Sequence, residues 1–174
     1  MDQALNQKID AFIAANKEQI LQDIAALVAI NSVEGEPAEG APYGVGPRAA
    51  LDKTLELAAG MGFATRNYDN YVGTADLNDK ETALHILCHL DVVPAGEGWD
   101  VPPFACTLRD GRLYGRGVTD DKGPAVASIY AMKDLLDSGR PLRRRVRIIF
   151  GLAEEGGVWT DMDYYRRHEE LPVF

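Results

Sequence analysis

Residues 83–90, ALHILCHL, form a largely apolar run whose last two residues are His89 and Leu90, and Asp91 follows directly. An apolar run of this length predicts a central strand that is covered on both faces, as in α/β proteins. A second run, VRIIFGL at residues 146–152, predicts another buried strand. Between the two runs, residues 123–138 carry apolar side chains at helical spacing, with Pro124 in the first turn and Gly139 at the end. The alternation of strands and helices favours an α/β fold.

The flanking segments extend this pattern in both directions. Residues 4–29 are predicted to form one or two amphipathic helices. Two further helices are predicted, one that begins near Arg48 and one at residues 161–168. Hairpins are predicted for residues 63–68 with 72–77 and for residues 107–108 with 113–114 around Asp110-Gly111. Together these elements predict a three-layer α/β sandwich with a mixed, mainly parallel sheet.

Composition limits the class of protein. The chain has 174 residues, 46% of them hydrophobic, and carries a formal net charge of −9, which indicates one globular domain without a nucleic-acid or anionic-membrane partner. No apolar run reaches the roughly 18–20 residues of a membrane span, and the first residues lack a secretory pattern. Cys88 and Cys106 are interpreted as free thiols, so a cytoplasmic location is expected.

His89 and Asp91 form the first candidate site. Residues two apart on a strand face the same side, so this carboxylate can hold the imidazole or lie beside a metal ion that the ring binds. A purely structural His–Asp pair is an equally good interpretation of this motif alone. His85 lies about 13 Å away by strand rise and is therefore assigned to the core or to the surroundings of the site.

Two further acidic pairs follow predicted turns or strands. Asp120-Asp121 lies in a glycine-bracketed segment just before the helix at 123–138, where either acid could bridge two cations or simply cap the helix. Glu154-Glu155 follows the VRIIFGL strand, where one glutamate could bind metal while the other takes a proton from water. Solvated surface glutamates are the alternative. The clusters together are the mixed nitrogen and oxygen ligand set of Zn²⁺, or of Mn²⁺ or Co²⁺, at a hydrolytic site.

Other chemistry is less well supported by the residues. Cys88 adjoins His89, but neighbouring strand residues face opposite ways, so the histidine could not activate this thiol. No Gly-x-Ser-x-Gly nucleophile motif is present. The segment 168–170, His-Glu-Glu, is interpreted as solvated surface, and the arginines between 143 and 147 as exposed edge residues or partners of local acids.

Three motifs carry a resemblance to a known family. HLDVVPAGEGWDVPPF (89–104), GRLYGRGVTDDKGP (111–124) and AEEGG (153–157) followed by DMDYY (161–165) resemble the aminoacylase/carnosinase family of zinc peptidases, with the bacterial peptidase-V-like dipeptidases as the nearest type. The resemblance implies an α/β catalytic domain that carries two zinc ions and a smaller inserted lid domain. The loop at residues 96–104, with Trp99, is expected to shape the mouth of the pocket, with simple packing of Trp99 as the alternative.

The resemblance also implies a role for each matched residue. His89 and Glu155 would bind different metal ions, and Asp120, joined to Asp121 by a cis peptide, would bridge them. Asp91 and Glu154 would serve catalysis, Asp91 as the acid that orients His89 and Glu154 as the general base.

The chain also departs from the family pattern. Gly156-Gly157 replace the usual Ser or Thr turn after the glutamates, and a later Asp ligand, a late His ligand and the lid domain are missing. Since the end, LPVF (171–174), resembles the middle of such a protein, residues 1–174 are interpreted as the N-terminal portion of a catalytic domain, inactive alone. Exposed apolar surface at the missing half would favour self-association.

The expected activity is hydrolysis of a dipeptide amide bond at a dinuclear zinc centre. One alternative is an amidohydrolase acting on N-acyl or N-succinyl amino acids. Another is a catalytically dead fragment that acts only as an interaction module.

Overall fold

The structure is a computed structural model that describes residues 3–171, so most of the LPVF end lies outside the described residues. In chain order the elements are α1 (Gln3–Val28), α2 (Val45–Gly60), β1 (Ala64–Tyr68), β2 (Val72–Asp76), β3 (Thr82–His89), β4 (Thr107–Arg109), β5 (Arg112–Tyr114), α3 (Lys122–Asp137), β6 (Arg145–Gly151) and α4 (Thr160–Arg166). Every predicted helix and strand is present. Helix α2 begins earlier than expected, because the first turn of a helix tolerates Pro47, whose missing N–H has no helical partner there.

The main sheet is mixed, with strand order β1-β2-β6-β3. Strand β2 runs antiparallel to both β1 and β6, whereas β3 and β6 are parallel. Three of the four strands therefore point the same way, as a mainly parallel sheet requires, but only one of the three pairings is parallel. A separate two-stranded hairpin joins β4 to β5, and Asp110 and Gly111 at its turn both have positive φ, as the Asp-Gly signal predicts.

Alternation along β6 divides the core between the two faces of the sheet. Ile148 and Phe150 pack with the buried residues of α2 and α3. Ile149 faces the other way and packs against Tyr165 of α4. Helix α1 lies outside α3 and buries Leu27 and Val28 against it. The predicted three layers are therefore present: helices α2 and α3, the sheet, and helix α4.

Strand β3 differs from its predicted central position. It pairs with β6 on one side and is an edge strand of the sheet formed by the described residues. Leu84 and Leu87 are consequently 49% and 44% exposed. The apolar run correctly predicts a strand, but it could not reveal how many neighbours that strand has. Self-association through this edge stays a prediction.

Arg147 is buried, which corrects its interpretation as an exposed edge residue. Its guanidinium is bidentate to Asp76, with both N–O distances 2.7 Å, and it also donates to Glu169 and to the Tyr165 hydroxyl, each at 2.9 Å. The alternative that an arginine here pairs with local acids is the correct one. Glu169, expected to be solvated, is part of this network and also accepts from the hydroxyl of Tyr68.

Replacing Arg147 with methionine is expected to lower the free energy of unfolding by about 3 kcal/mol, because Asp76 and Glu169 are then left without their shared cation. Urea denaturation measures the change, and Arg143→Met, at an exposed position, is the matched control. A loss no larger than that of the control would contradict a stabilising role for this network.

Both cysteines are free, as expected, with Cys88 buried in the α3-facing core. Among residues 3–171, no helix has both the length and the apolar character needed to cross a bilayer.

Candidate metal centre

Three loops meet at one end of the parallel strand pair. His89, at the end of β3, is in register with Gly151, at the end of β6, so the segments that follow both strands start side by side. The backbone N–H of His89 donates to a carboxylate oxygen of Asp121, 3.1 Å away, which brings the start of α3 to the same edge. The carboxyl ends of parallel strands are where α/β sheets collect binding sites.

His89, Asp120 and Glu155 lie close together at this edge. Each offers one ligand atom, and these three atoms lie within 4.8 Å of one another. Nε2 of His89 is 2.9 Å from Oδ1 of Asp120, although the two residues are 31 positions apart. One imidazole and two carboxylates match the donors that Zn²⁺ takes in catalytic sites. The residues present therefore fit a divalent metal ion.

Asp91 lies behind His89 and is fully buried. Its Oδ1 is 3.4 Å from Nδ1 of the imidazole, and its Oδ2 accepts the backbone N–H of Glu155 at 2.9 Å. Oδ1 has no hydrogen-bond partner among the described residues. Nδ1 of His89 is hydrogen-bonded to the backbone carbonyl of Asp91, 3.1 Å away, so this residue orients the ring through its backbone and holds Glu155 through its carboxylate.

The acidic pair before α3 does not cap that helix with a side-chain hydrogen bond. The Asp120–Asp121 peptide is cis, as the resemblance implies. Asp121 occupies the N-cap position, but its side chain makes no capping hydrogen bond. Its carboxylate instead contacts β3, and Asp120, whose side chain is 72% exposed, points its Oδ1 at His89. Both acids therefore contact His89 at the end of β3 rather than the first turn of α3.

Glu154 lies next to the donor cluster without belonging to it. Its Oε2 is 3.8 Å from Nε2 of His89, and its side chain is 38% exposed. It borders a cavity of about 170 Å³ that is lined by Leu87, Cys88, His89, Gly151, Glu154, Trp159, Asp161 and Met162. A carboxylate at this position can reach a small molecule held beside the cluster.

Trp159, and not Trp99, lines this cavity. Trp99 instead donates its indole N–H to the carbonyl of Ala95 in its own loop, and the Arg116 guanidinium lies over its ring. These contacts agree with the alternative that Trp99 packs its own loop, while a role of the loop at residues 96–104 at the pocket mouth stays a prediction.

Negative charge is crowded at the site. Burial by itself would lower the pKa of His89, but the carboxylates of Asp91 and Asp120 beside its two ring nitrogens outweigh burial and raise the pKa to about 9. Burial and the nearby charge of Asp120 raise the pKa of the Glu155 carboxyl above its ordinary value. Such crowding is relieved by a proton or by a cation, and clusters of this kind are typical of functional sites.

Sequence reasoning missed several supporting residues. Lys122 is fully buried, with its ammonium donating to the carbonyl of Ile30 at 2.6 Å, and burial lowers its pKa to about 8. Ser32 donates to the carbonyl of Leu90 at 2.6 Å. Asp161 is buried and accepts backbone N–H groups from the loop that carries the glutamates. No residue spacing indicates these contacts, although both Lys122 and Asp161 lie within the motifs that carry the family resemblance.

The fold and the cluster together define an α/β domain with a candidate divalent-metal centre at the ends of its parallel strands. Comparison with known proteins finds a similarity to a peptidase family: residues 85–166, just under half of the chain, match peptidase family M20/M25/M40.

Curated relatives are similar over nearly the whole chain. The Bacillus subtilis protein named "Putative dipeptidase YtjP" is 41% identical over 163 residues, which is 92% of this chain and 35% of the relative. The Staphylococcus aureus protein named "Putative dipeptidase SAUSA300_1697" is 41% identical over 159 residues, 90% of this chain and 34% of the relative. The chain thus spans about a third of the length of the curated relatives that it matches.

Solved structures support the same relationship. Human carnosine dipeptidase 1 superposes with a TM-score of 0.74 and 26% identity over 86% of this chain and 35% of its own. The M20 family metallo-carboxypeptidase Sso-CP2 from Sulfolobus solfataricus superposes with a TM-score of 0.69 and 25% identity, over 85% of this chain and 34% of its own. The α/β fold is therefore that of the M20 peptidases.

Proposed function

We propose that this chain is the N-terminal portion of the catalytic domain of a zinc-dependent dipeptidase. The observation that carries the proposal is the convergence of His89, Asp120 and Glu155 beside Glu154, at the carboxyl ends of two parallel strands. The family match over residues 85–166 and the names of the curated relatives support peptide hydrolysis as the reaction. The share of the relatives that the chain covers supports its assignment as one portion of a longer protein.

Each residue receives a distinct role in a dinuclear centre. His89 would hold one ion, Glu155 the other, and Asp120 would bridge the two; the same nitrogen and oxygen donors also suit Mn²⁺ or Co²⁺. Bound zinc lowers the pKa of water to about 7 and polarises a carbonyl oxygen. Asp91 keeps the imidazole of His89 in its binding orientation.

Glu154 would act as the general base. Its carboxylate is half-exposed beside the donor cluster, where it can accept a proton from an attacking water molecule. The same carboxyl group can then return that proton to the leaving amine, which completes cleavage of the amide bond without any net change in Glu154.

The dipeptide is preferred as substrate because the curated relatives are named as dipeptidases. Hydrolysis of an N-acyl or N-succinyl amino acid would use the same chemistry. The released products separate the two substrates: a dipeptide gives two amino acids, whereas an N-acyl amino acid gives one amino acid and a carboxylic acid. The two free thiols further support a cytoplasmic location.

Removing metal tests the proposal directly. Hydrolysis of a dipeptide panel by the complete protein is expected to fall by about 100-fold or more after a chelator is applied, and to return when zinc is added. Undiminished activity in protein that elemental analysis shows to be free of metal would contradict the mechanism. Failure of the chain to bind zinc more tightly than micromolar would favour the alternative of an interaction module.

A further inference from the structure

Asp161 is a buried carboxylate that has no role in the proposed function. It is the second residue of α4 and only 2% exposed. One of its oxygens, Oδ2, accepts two backbone N–H groups, from Leu152 at 2.7 Å and from Ala153 at 3.2 Å. Its other oxygen, Oδ1, accepts the backbone N–H of Met162 at 2.7 Å. All three hydrogen bonds require a side chain that accepts at both atoms.

These contacts close the loop that carries the glutamate pair. The loop leaves β6 after Gly151, passes Leu152 and Ala153, and presents Glu154 and Glu155 before it reaches α4. The two N–H groups that bind Asp161 immediately precede Glu154 in the chain. Asp161 therefore fixes the backbone from which both glutamate side chains start.

Asp91 holds the same loop at a second point. Its carboxylate accepts the backbone N–H of Glu155 at 2.9 Å, so two buried carboxylates bind backbone N–H groups of the segment 152–155. The fit is close at Gly151, where an added Cβ would be 2.6 Å from Oδ2 of Asp161. A larger residue at 151 would push the carboxylate away from the N–H groups that it binds.

We propose that Asp161 is a positioning residue that sets the placement of Glu154 and Glu155. Its effect on metal binding rests on the proposed function, whereas its effect on the loop does not. An asparagine at 161 retains the shape of the side chain but replaces one accepting oxygen with an NH₂ group, which faces backbone donors and cannot accept from them. Either the Leu152 and Ala153 contacts are then lost, or the Met162 contact is lost and the other two are made to a neutral amide oxygen, which is a weaker acceptor than a carboxylate, so the loop is held less firmly in both cases.

The test compares Asp161→Asn with Asp163→Asn, an exposed aspartate of the same helix. Native-state amide exchange is measured by NMR on the metal-free chain at Glu155, whose N–H binds Asp91, and at Ile148, which is buried in β6. Asp161→Asn is expected to speed exchange at Glu155 by about 10-fold or more, the size expected for loss of a hydrogen bond to a charged group, with little change at Ile148. Zinc affinity is expected to fall by about 10-fold, and Asp163→Asn to leave both quantities unchanged.

Equal acceleration at Glu155 and Ile148 would mean that Asp161 only supports the fold, and no acceleration at either would mean that it does not hold the loop; both results overturn the proposal. If Asp161→Asn does not fold, Gly151→Ala takes its place, because its Cβ displaces the same carboxylate and is expected to give the same selective effect at Glu155. Failure of the unaltered chain to bind zinc would overturn the proposed function, while the exchange data would still decide the role of Asp161.

Discussion

Replacing Glu155 with alanine is expected to weaken zinc binding by about 100-fold or more. Glu155 is one of three side chains whose ligand atoms lie within 4.8 Å of one another, and metal affinity depends on the number of ligands and on how rigidly they are held. Even the outer partners of metal ligands typically contribute about 10–100-fold in affinity, so loss of a ligand is expected to cost at least as much. Titration calorimetry with zinc measures the change.

The same substitution is expected to leave the metal-free chain at least as stable as before. Burial and the charge of Asp120 disfavour the charged form of the Glu155 carboxyl, so removing this side chain relieves repulsion. The matched control is Glu18→Ala, which removes an exposed glutamate of α1. Equal zinc affinity in the Glu155→Ala and Glu18→Ala variants would exclude Glu155 as a ligand.

Replacing Glu154 with glutamine is expected to lower kcat for dipeptide hydrolysis by about 10²–10⁴-fold, the range typical of losing a general base. Glutamine retains the shape of the side chain but cannot take up a proton near neutral pH. Zinc affinity is expected to change little, because Glu154 is not among the three clustered donors. Steady-state kinetics of the complete protein, together with zinc titration, separate the two effects.

Glu18→Gln is the control for this substitution, since it makes the same chemical change at an exposed position. A Glu154→Gln protein with unchanged kcat would rule out the assigned proton transfer. Loss of zinc binding in that variant would instead make Glu154 a ligand.

Much of the fold follows from local patterns. Three patterns depend only on neighbouring residues: the apolar runs of β3 and β6, the helical spacing in α3 and the Asp-Gly turn of the β4–β5 hairpin. Each of these elements forms where it is predicted. The pairing of β3 with β6 also explains why His89 and the glutamate pair, more than 60 residues apart, meet at one edge of the sheet.

The remaining features depend on contacts between distant segments. An arginine in a strand is normally exposed, and only the acids of β2 and of the segment after α4 make a buried Arg147 favourable. Likewise, an unbroken apolar strand is compatible with either a central or an edge position, so the exposure of Leu84 and Leu87 could not be predicted. Asp161 resembles any acid in the first turn of a helix until the loop that folds back onto it is known.

Anomalous diffraction at the zinc edge, from crystals soaked in zinc, shows whether His89, Asp120 and Glu155 bind the metal together. An anomalous peak is expected about 2.0–2.2 Å from Nε2 of His89 and from a carboxylate oxygen of Asp120 or Glu155. An absence of zinc between these residues in well-occupied crystals, or zinc bound only elsewhere on the surface, would contradict the proposed metal centre.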